Sequence, residues 1–154
     1  MPAAYRFLDQ WVVPHDIEAV FDLVGDPLAY PEWWHDVFLE ASGDAGPPKV
    51  GNRVSVVARG FLPYRLRFAL ATTAVDRPTR LASRLEGDFE GTGEWRLHSE
   101  GASTICELDW RPLVNKAGVK QLTPVLRPLF RANHNWTMRR GQQRILERLG
   151  GSAS

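Results

Sequence analysis

Few side chains in this sequence are spaced to do chemistry. Glu107, Asp109 and Arg111 alternate along one short stretch, the pattern of a carboxylate pair with an arginine clamp, which could serve general acid–base work. In a strand, however, alternation sends all three to one face, with Glu94 and Arg96 beside them, where cross-strand charge pairs in water are expected. Carboxylates are tuned for catalysis by desolvation, which such a face does not supply. His15, His35, His98 and His134 are scattered, with no pair at ligand spacing, so no metal site is expected. Of these, His134 lies nearest the expected interior. Asp9 shares parity with Phe7 and Trp11 and would need a donor if buried. Asp9 and His134 are therefore the two weak catalytic candidates. Cys106, the single cysteine, has no adjacent base and reads as a small buried hydrophobe. No nucleophile triad can be assembled, Gly87, Gly91 and Gly93 read as turn or bulge residues, and no cofactor is expected.

The elements that must hold these residues are legible in the apolar pattern. Residues 4–13 read as a first strand, rich in aromatic and β-branched residues and ended by Pro14. In HDIEAVFDLVGD, Ile17, Val20, Phe21 and Val24 recur at helical spacing, with His15 or Asp16 as a cap and Gly25 as the stop. PLAYPEWWHD carries two prolines and reads as a broken helical turn leading outward. From residue 36 to 114 no helical period of useful length occurs. Apolar alternations at 36–42, 50–61, 64–75, 80–89, 93–99 and 102–114 predict six strands in hairpin succession, hence an antiparallel sheet. Residues 118–149 predict a long closing helix with a start or kink near Pro124 and Pro128.

Period-two counting then assigns faces. Tyr64, Leu66, Phe68, Leu70 and Thr72 share one side of their strand, opposite Arg65 and Arg67. Leu81, Ser83 and Leu85 oppose Arg84 and Glu86, Trp95 and Leu97 oppose Glu94, Arg96 and His98, and Cys106, Leu108 and Trp110 oppose Glu107, Asp109 and Arg111. One wet and one greasy face recur, as expected of a sheet covered on one side, and only the long helix is large enough to cover it. On that helix Leu122, Leu126, Leu129, Asn133, Trp136 and Thr137 share one stripe, and Phe130, His134, Met138, Gly141, Ile145 and Leu149 an adjoining one. Gly141 costs about 1 kcal/mol relative to alanine in a helix interior, so a close approach to the sheet is the expected reason for it.

The chain fits one domain, residues 1–154, large enough for a substantial core. Residues 1–115 hold 11 of the 19 basic side chains and 17 of the 18 acidic ones, so the final segment is basic against an acidic body. A solvated helix face complementary to that body is expected, with at most weak contact to an anionic membrane surface. No nucleic-acid motif accompanies the charge, so no such partner is expected. No segment is apolar enough for a bilayer span, Arg6, Asp9 and Gln10 interrupt any leader-like stretch, and one cysteine suits a cytoplasmic setting.

Three stretches, Trp11 to Trp34, GTGEWRL from Gly91, and Leu129 to Leu146, resemble the START / birch-pollen-allergen / polyketide-cyclase superfamily known as SRPBCC. The resemblance covers nearly the whole chain and implies an α+β helix-grip fold, a seven-stranded antiparallel sheet wrapped around a long C-terminal helix, with two short helices after strand 1. It also implies an internal hydrophobic cavity. Residues matching the cavity positions are Trp34, Phe68, Leu70, Leu85, Trp95, Leu108 and Trp110 from the sheet side. Leu126, Phe130, Asn133 and Thr137 match them from the helix. The expected function is binding or transport of a hydrophobic small molecule such as a lipid, isoprenoid, quinone or aromatic polyketide. Asn133, Thr137 and a tryptophan N–H would orient its polar end. The alternative is a polyketide cyclase or dehydratase using the same cavity; a third reading is an interaction module docking through the basic helix. Ligand identity, catalysis and oligomeric state stay open at this point.

Overall fold

The structure, a computed structural model, describes residues 3–59, 65–114 and 123–150, and side chains within 5–59, 65–114 and 127–150. Tyr64, Leu122 and the side chain of Leu126 lie outside that description. The element order is β1 (Ala3–Ala4), β2 (Phe7–Val13), α1 (Ile17–Val24), a 3-10 turn at Pro27–Ala29, α2 (Tyr30–Trp33), β3 (Phe38–Gly43), β4 (Arg53–Arg59), β5 (Arg65–Asp76), β6 (Arg80–Gly87), β7 (Phe89–Glu100), β8 (Ser103–Val114) and α3 (Thr123–Gly150). Asp16 caps α1 by accepting from the Glu18 N–H, and Gly25 closes it. Val20, Phe21 and Val24 are fully buried on the face that the helical spacing predicts.

All strand pairs are antiparallel, in the order β1–β8–β7–β6–β5–β4–β3 with β2 also on β8. β1 and β2 share one register against β8, Ala4 facing Leu113 and Phe7 facing Trp110, so they are two segments of a single edge strand. Counted that way, the described residues form the expected seven-stranded sheet, curled around α3 in the helix-grip arrangement.

The register explains which side is greasy. One row across the sheet runs Trp11, Cys106, Leu97; the next runs Asp9, Leu108, Trp95, Leu81. A third runs Phe7, Trp110, Gly93, Ser83, Thr72. These rows point toward α3. Glu107, Asp109 and Arg111 point to the outer, wet face, where Asp109 pairs with Arg6 and Arg111 at 3.0–3.2 Å. The charge-pair reading of that constellation therefore holds, and its resemblance to a catalytic pair is a by-product of strand alternation.

Two expectations need correction. The PLAYPEWW turn leads inward rather than outward: Tyr30, Trp33 and Trp34 are all buried, because their rings pack on one another and on Phe38. Leu129, expected on the covered stripe of α3, is 46% exposed, whereas Met138, Gly141 and Ile145 form the buried seam. The concave sheet grips a narrower arc of the helix than the two adjoining stripes would fill.

The basic segment is complementary to the body. Arg144 makes a two-pronged contact with Asp36 at 2.9 and 3.1 Å, Arg140 reaches the same carboxylate at 3.1 Å, and Arg148 meets Glu32 at 3.2 Å. Arg144 holds the Asp36 carboxyl below its ordinary range chiefly through that hydrogen bond. These pairs fasten the C-terminal half of α3 to α2 and the turn after it.

Candidate functional site

A cavity of about 150 Å³ lies between the sheet and α3. Its origin is visible in the register. The row from Phe7 to Thr72 places Gly93, Ser83 and Thr72 side by side, and the small side chains of Ser83 and Thr72 leave space there that leucines would have filled. Gly93 has its own reason to be glycine: a Cβ would fall 2.8 Å from ring atoms of Trp110, so the indole lies flat across it.

The walls are mainly aromatic. Trp34, Trp95 and Trp110 line the cavity together with Phe68, Leu70 and Leu108 from the sheet side, and Phe130, Asn133 and Thr137 line it from α3. The structure thus gathers nine of the residues named from the sequence. It does not include Leu85, which is 1% exposed but sits in the packed core and does not border the cavity. Tyr30 borders it too, at the end where the family resemblance puts the Tyr30, Trp33 and Trp34 cluster, whereas sequence reasoning missed Tyr5, Phe38 and Arg59. Alternation could have flagged Tyr5, two residues before Phe7; the other two depend on how the chain returns through β3 and β4.

The end of the cavity beside α1 and α2 is closely hydrogen-bonded. The Tyr30 hydroxyl donates to the Val24 carbonyl at 2.5 Å, and burial pushes its pKa well above the ordinary phenol range, against a hydrogen bond with Trp95. Trp34 Nε1 donates to the Thr137 carbonyl at 3.0 Å and Trp11 Nε1 to the Met138 carbonyl at 3.1 Å. Two indoles therefore grip consecutive carbonyls of α3. Gly141 lies between them, where a Cβ would come within 2.6 Å of both rings. Its close approach is to these two indoles, not to the sheet backbone.

These bonds narrow the choice of polar anchor. The N–H groups of Trp11 and Trp34 are spent on the helix, and the Thr137 hydroxyl donates to the His134 carbonyl at 2.7 Å. Buried N–H and O–H groups with such partners have little left to give a guest. Asn133, Ser83, Thr72, Arg59, His134, Tyr5, Trp95 and Trp110 also carry polar groups on the wall.

Asp9 and His134 come together. His134 Nε2 lies 2.5 Å from Asp9 Oδ2, the imidazole stacks on Phe7 with centroids 4.0 Å apart, and the side chains are only 10% and 18% exposed. The histidine borders the cavity and the aspartate stands behind it. Among the described residues no group of three or more His, Cys, Asp or Glu could hold a metal ion. Burial pushes the Cys106 thiol up to about 12, which leaves it protonated and unreactive.

Fold and site together define a helix-grip domain with an internal, aromatic-walled cavity. The chain belongs to the polyketide cyclase / dehydrase and lipid transport family, whose model matches residues 9–152. Among solved structures, it is similar to the ZhuI aromatase/cyclase from Streptomyces sp. R1128, with 15% identity and a TM-score of 0.74 over 94% of this chain and 93% of that one. A START superfamily protein from Mycobacterium smegmatis aligns at 16% identity and TM-score 0.73, covering 96% of this chain and 99% of the other. TTHA0849 from Thermus thermophilus aligns at 18% identity and TM-score 0.72, covering 97% and 100%. At these identities the likeness is one of fold. No curated protein matches the chain.

Proposed function

We propose that this protein binds, and carries or presents, a hydrophobic small molecule, with a lipid, isoprenoid, quinone or aromatic polyketide as the candidate classes. The observation that carries this reading is the cavity itself, a space of about 150 Å³ walled by aromatic and aliphatic side chains, with the small residues Ser83 and Thr72 on its wall. Apolar cavities of roughly that size accept a benzene-sized guest. A guest that buries roughly 200 Å² of apolar surface gains about 5 kcal/mol before ordering costs. The family to which the chain belongs supports the same reading.

The basic face of α3 takes a minor role in this proposal. Arg140, Arg144 and Arg148 are engaged with Asp36 and Glu32, so α3 makes at most a weak contact with anionic lipid. No described helix is long and apolar enough to cross a membrane. We place the protein in the cytoplasm, where its one thiol needs no partner.

The test is a titration with 2-naphthol, menadione and lauric acid, read by tryptophan fluorescence, since three indoles border the cavity. Saturable binding to the wild type and none to Ser83→Phe, which puts a ring into the space, supports the reading. Equal responses from both proteins, or none from either, overturn it.

A further inference from the structure

We infer that the free edge of β2 is a self-association surface, where a second copy of this chain adds its own β2 antiparallel and joins the two sheets into one. The surface stands apart from the cavity and does not depend on any ligand.

The main chain of β2 is half unused. The Tyr5 N–H donates to the Pro112 carbonyl at 3.0 Å, and the same register against β8 continues without a break from Phe7 to Val13. Bonded and non-bonded residues alternate in an antiparallel pair. The odd-numbered residues of β2 therefore turn N–H and C=O toward β8, and Leu8, Gln10 and Val12 turn theirs away from the sheet. Among the described residues no main-chain partner meets Leu8 or Gln10 on that side. The Val12 carbonyl meets the side-chain amide of Gln142 on α3, which confirms its direction, at 3.5 Å, longer than an ordinary N–H···O bond. A main-chain donor displaces so weak a contact.

Free edges are usually blunted by charge, proline or a bulge. β3, at the opposite edge, shifts register between Phe38 and Glu40 and exposes Glu40. β2 has neither bulge nor proline, and its one charge, Asp9, is turned inward to His134. Its outer face shows instead Leu8, 67% exposed, and Val12, 47% exposed.

The spacing selects the occupant. Leu8 and Val12 stand two residues to either side of Gln10. A two-fold axis at Gln10 sets each Leu8 against Val12 of the second copy, with all three edge residues of each strand opposed for bonding. Centring the pair on Asp9 sets Leu8 against Gln10 and Val12 against Arg6. Centring it on Trp11 sets Leu8 against Pro14, which has no N–H to give. The pattern is thus complementary to itself in one register. Main-chain bonds supply affinity and the aliphatic pairs fix the alignment. The contact is small, so the dimer forms and parts with concentration.

The experiment is size-exclusion chromatography with light scattering on the full-length protein over a concentration series. The mass is expected to rise from the 17.4 kDa of the chain toward twice that value. Gln10→Pro removes an edge N–H and leaves the bonds to β8 in place, since proline is tolerated where the N–H faces out from an edge strand. It is expected to keep the single-chain mass throughout. Should Gln10→Pro fail to fold, Leu8→Lys, at an exposed position, takes its place with the same expectation. Register is read from cysteine variants under mild oxidation. Opposed Cα atoms of a bonded antiparallel pair lie about 5.5 Å apart, within the span of a disulfide. The two Leu8 positions lie about 14 Å apart along the strands, at roughly 3.4 Å per residue. Gln10→Cys is therefore expected to link two chains and Leu8→Cys is not; Cys106, fully buried, does not compete. A wild type that keeps the single-chain mass at every concentration overturns the proposal, even where a foreign extended peptide adds to the edge. Self-association unchanged in Gln10→Pro or in Leu8→Lys, or Leu8→Cys linking as readily as Gln10→Cys, overturns it as well.

Discussion

Replacing Gly141 by alanine sets a methyl group 2.6 Å from Trp11 Cζ2 and from Trp34 Cε2 and Cζ2. Neither ring can swing aside freely. Each indole N–H is bonded to a carbonyl of α3, and the two rings pack edge to face with centroids 5.3 Å apart. Overpacking of this kind costs about 1–3 kcal/mol, and two tethered aromatic neighbours put the cost in the upper half of that range. Alanine returns about 1 kcal/mol of helix preference. The net loss is then about 1–2 kcal/mol, which in a domain of this size lowers the melting temperature by about 2–8 °C. Thermal unfolding followed by circular dichroism and calorimetry checks it. A variant that melts at or above the wild-type temperature would refute the reasoning, since it would mean that helix propensity decides and that the indoles do not close on the helix backbone.

Three further outcomes follow from other contacts. Asp36→Ala removes the shared partner of Arg140 and Arg144, so its melting temperature is expected to fall by several degrees. The deficit should shrink in roughly 1 M salt, where the screening length is about 3 Å. Asp109 is pulled down to about 2 by its hydrogen bonds with Arg111 and Arg6, so its contribution is complete above the ordinary carboxylate pKa of about 4. That contribution disappears as pH falls from about 4 to about 2; acid titration of unfolding in Asp109→Asn should show a shallower loss than the wild type over that window. Cys106, fully buried and raised to about 12, should resist iodoacetamide at about pH 8 in the folded protein and react once unfolded; rapid labelling of the native state would contradict its burial.

The sheet was readable from sequence because inward and outward residues alternate along most of its length, the register shifts in β3 and β5 aside. Leu108 and Trp110 face inward and Glu107, Asp109 and Arg111 outward, as parity requires, and the register then carries the cavity row from strand to strand. Parity left the first strand ambiguous, because both its faces are apolar. Leu8 is 67% and Val12 47% exposed on the outer side of this edge strand, so hydrophobicity alone could not tell which side holds Asp9. Pairing with β8 decides it, and that pairing also brings Asp9 to His134. The helix was less legible for a related reason. Its expected stripes marked it as covered, but only the sheet's curvature shows that Leu129 escapes while Gly141 and Ile145 are gripped. The polar groups were the least legible. The indole N–H groups of Trp11 and Trp34 are consumed by carbonyls of α3, partners that no spacing rule reveals.

The most direct test of the central claim is a native mass spectrum of the purified protein, with solvent extraction of the same sample. An adduct in the mass range of a ring-containing or acyl compound, retained by the wild type and lost from Ser83→Phe, is the predicted result. A wild-type spectrum with no adduct, unchanged after incubation with each lipid and aromatic class, would contradict it.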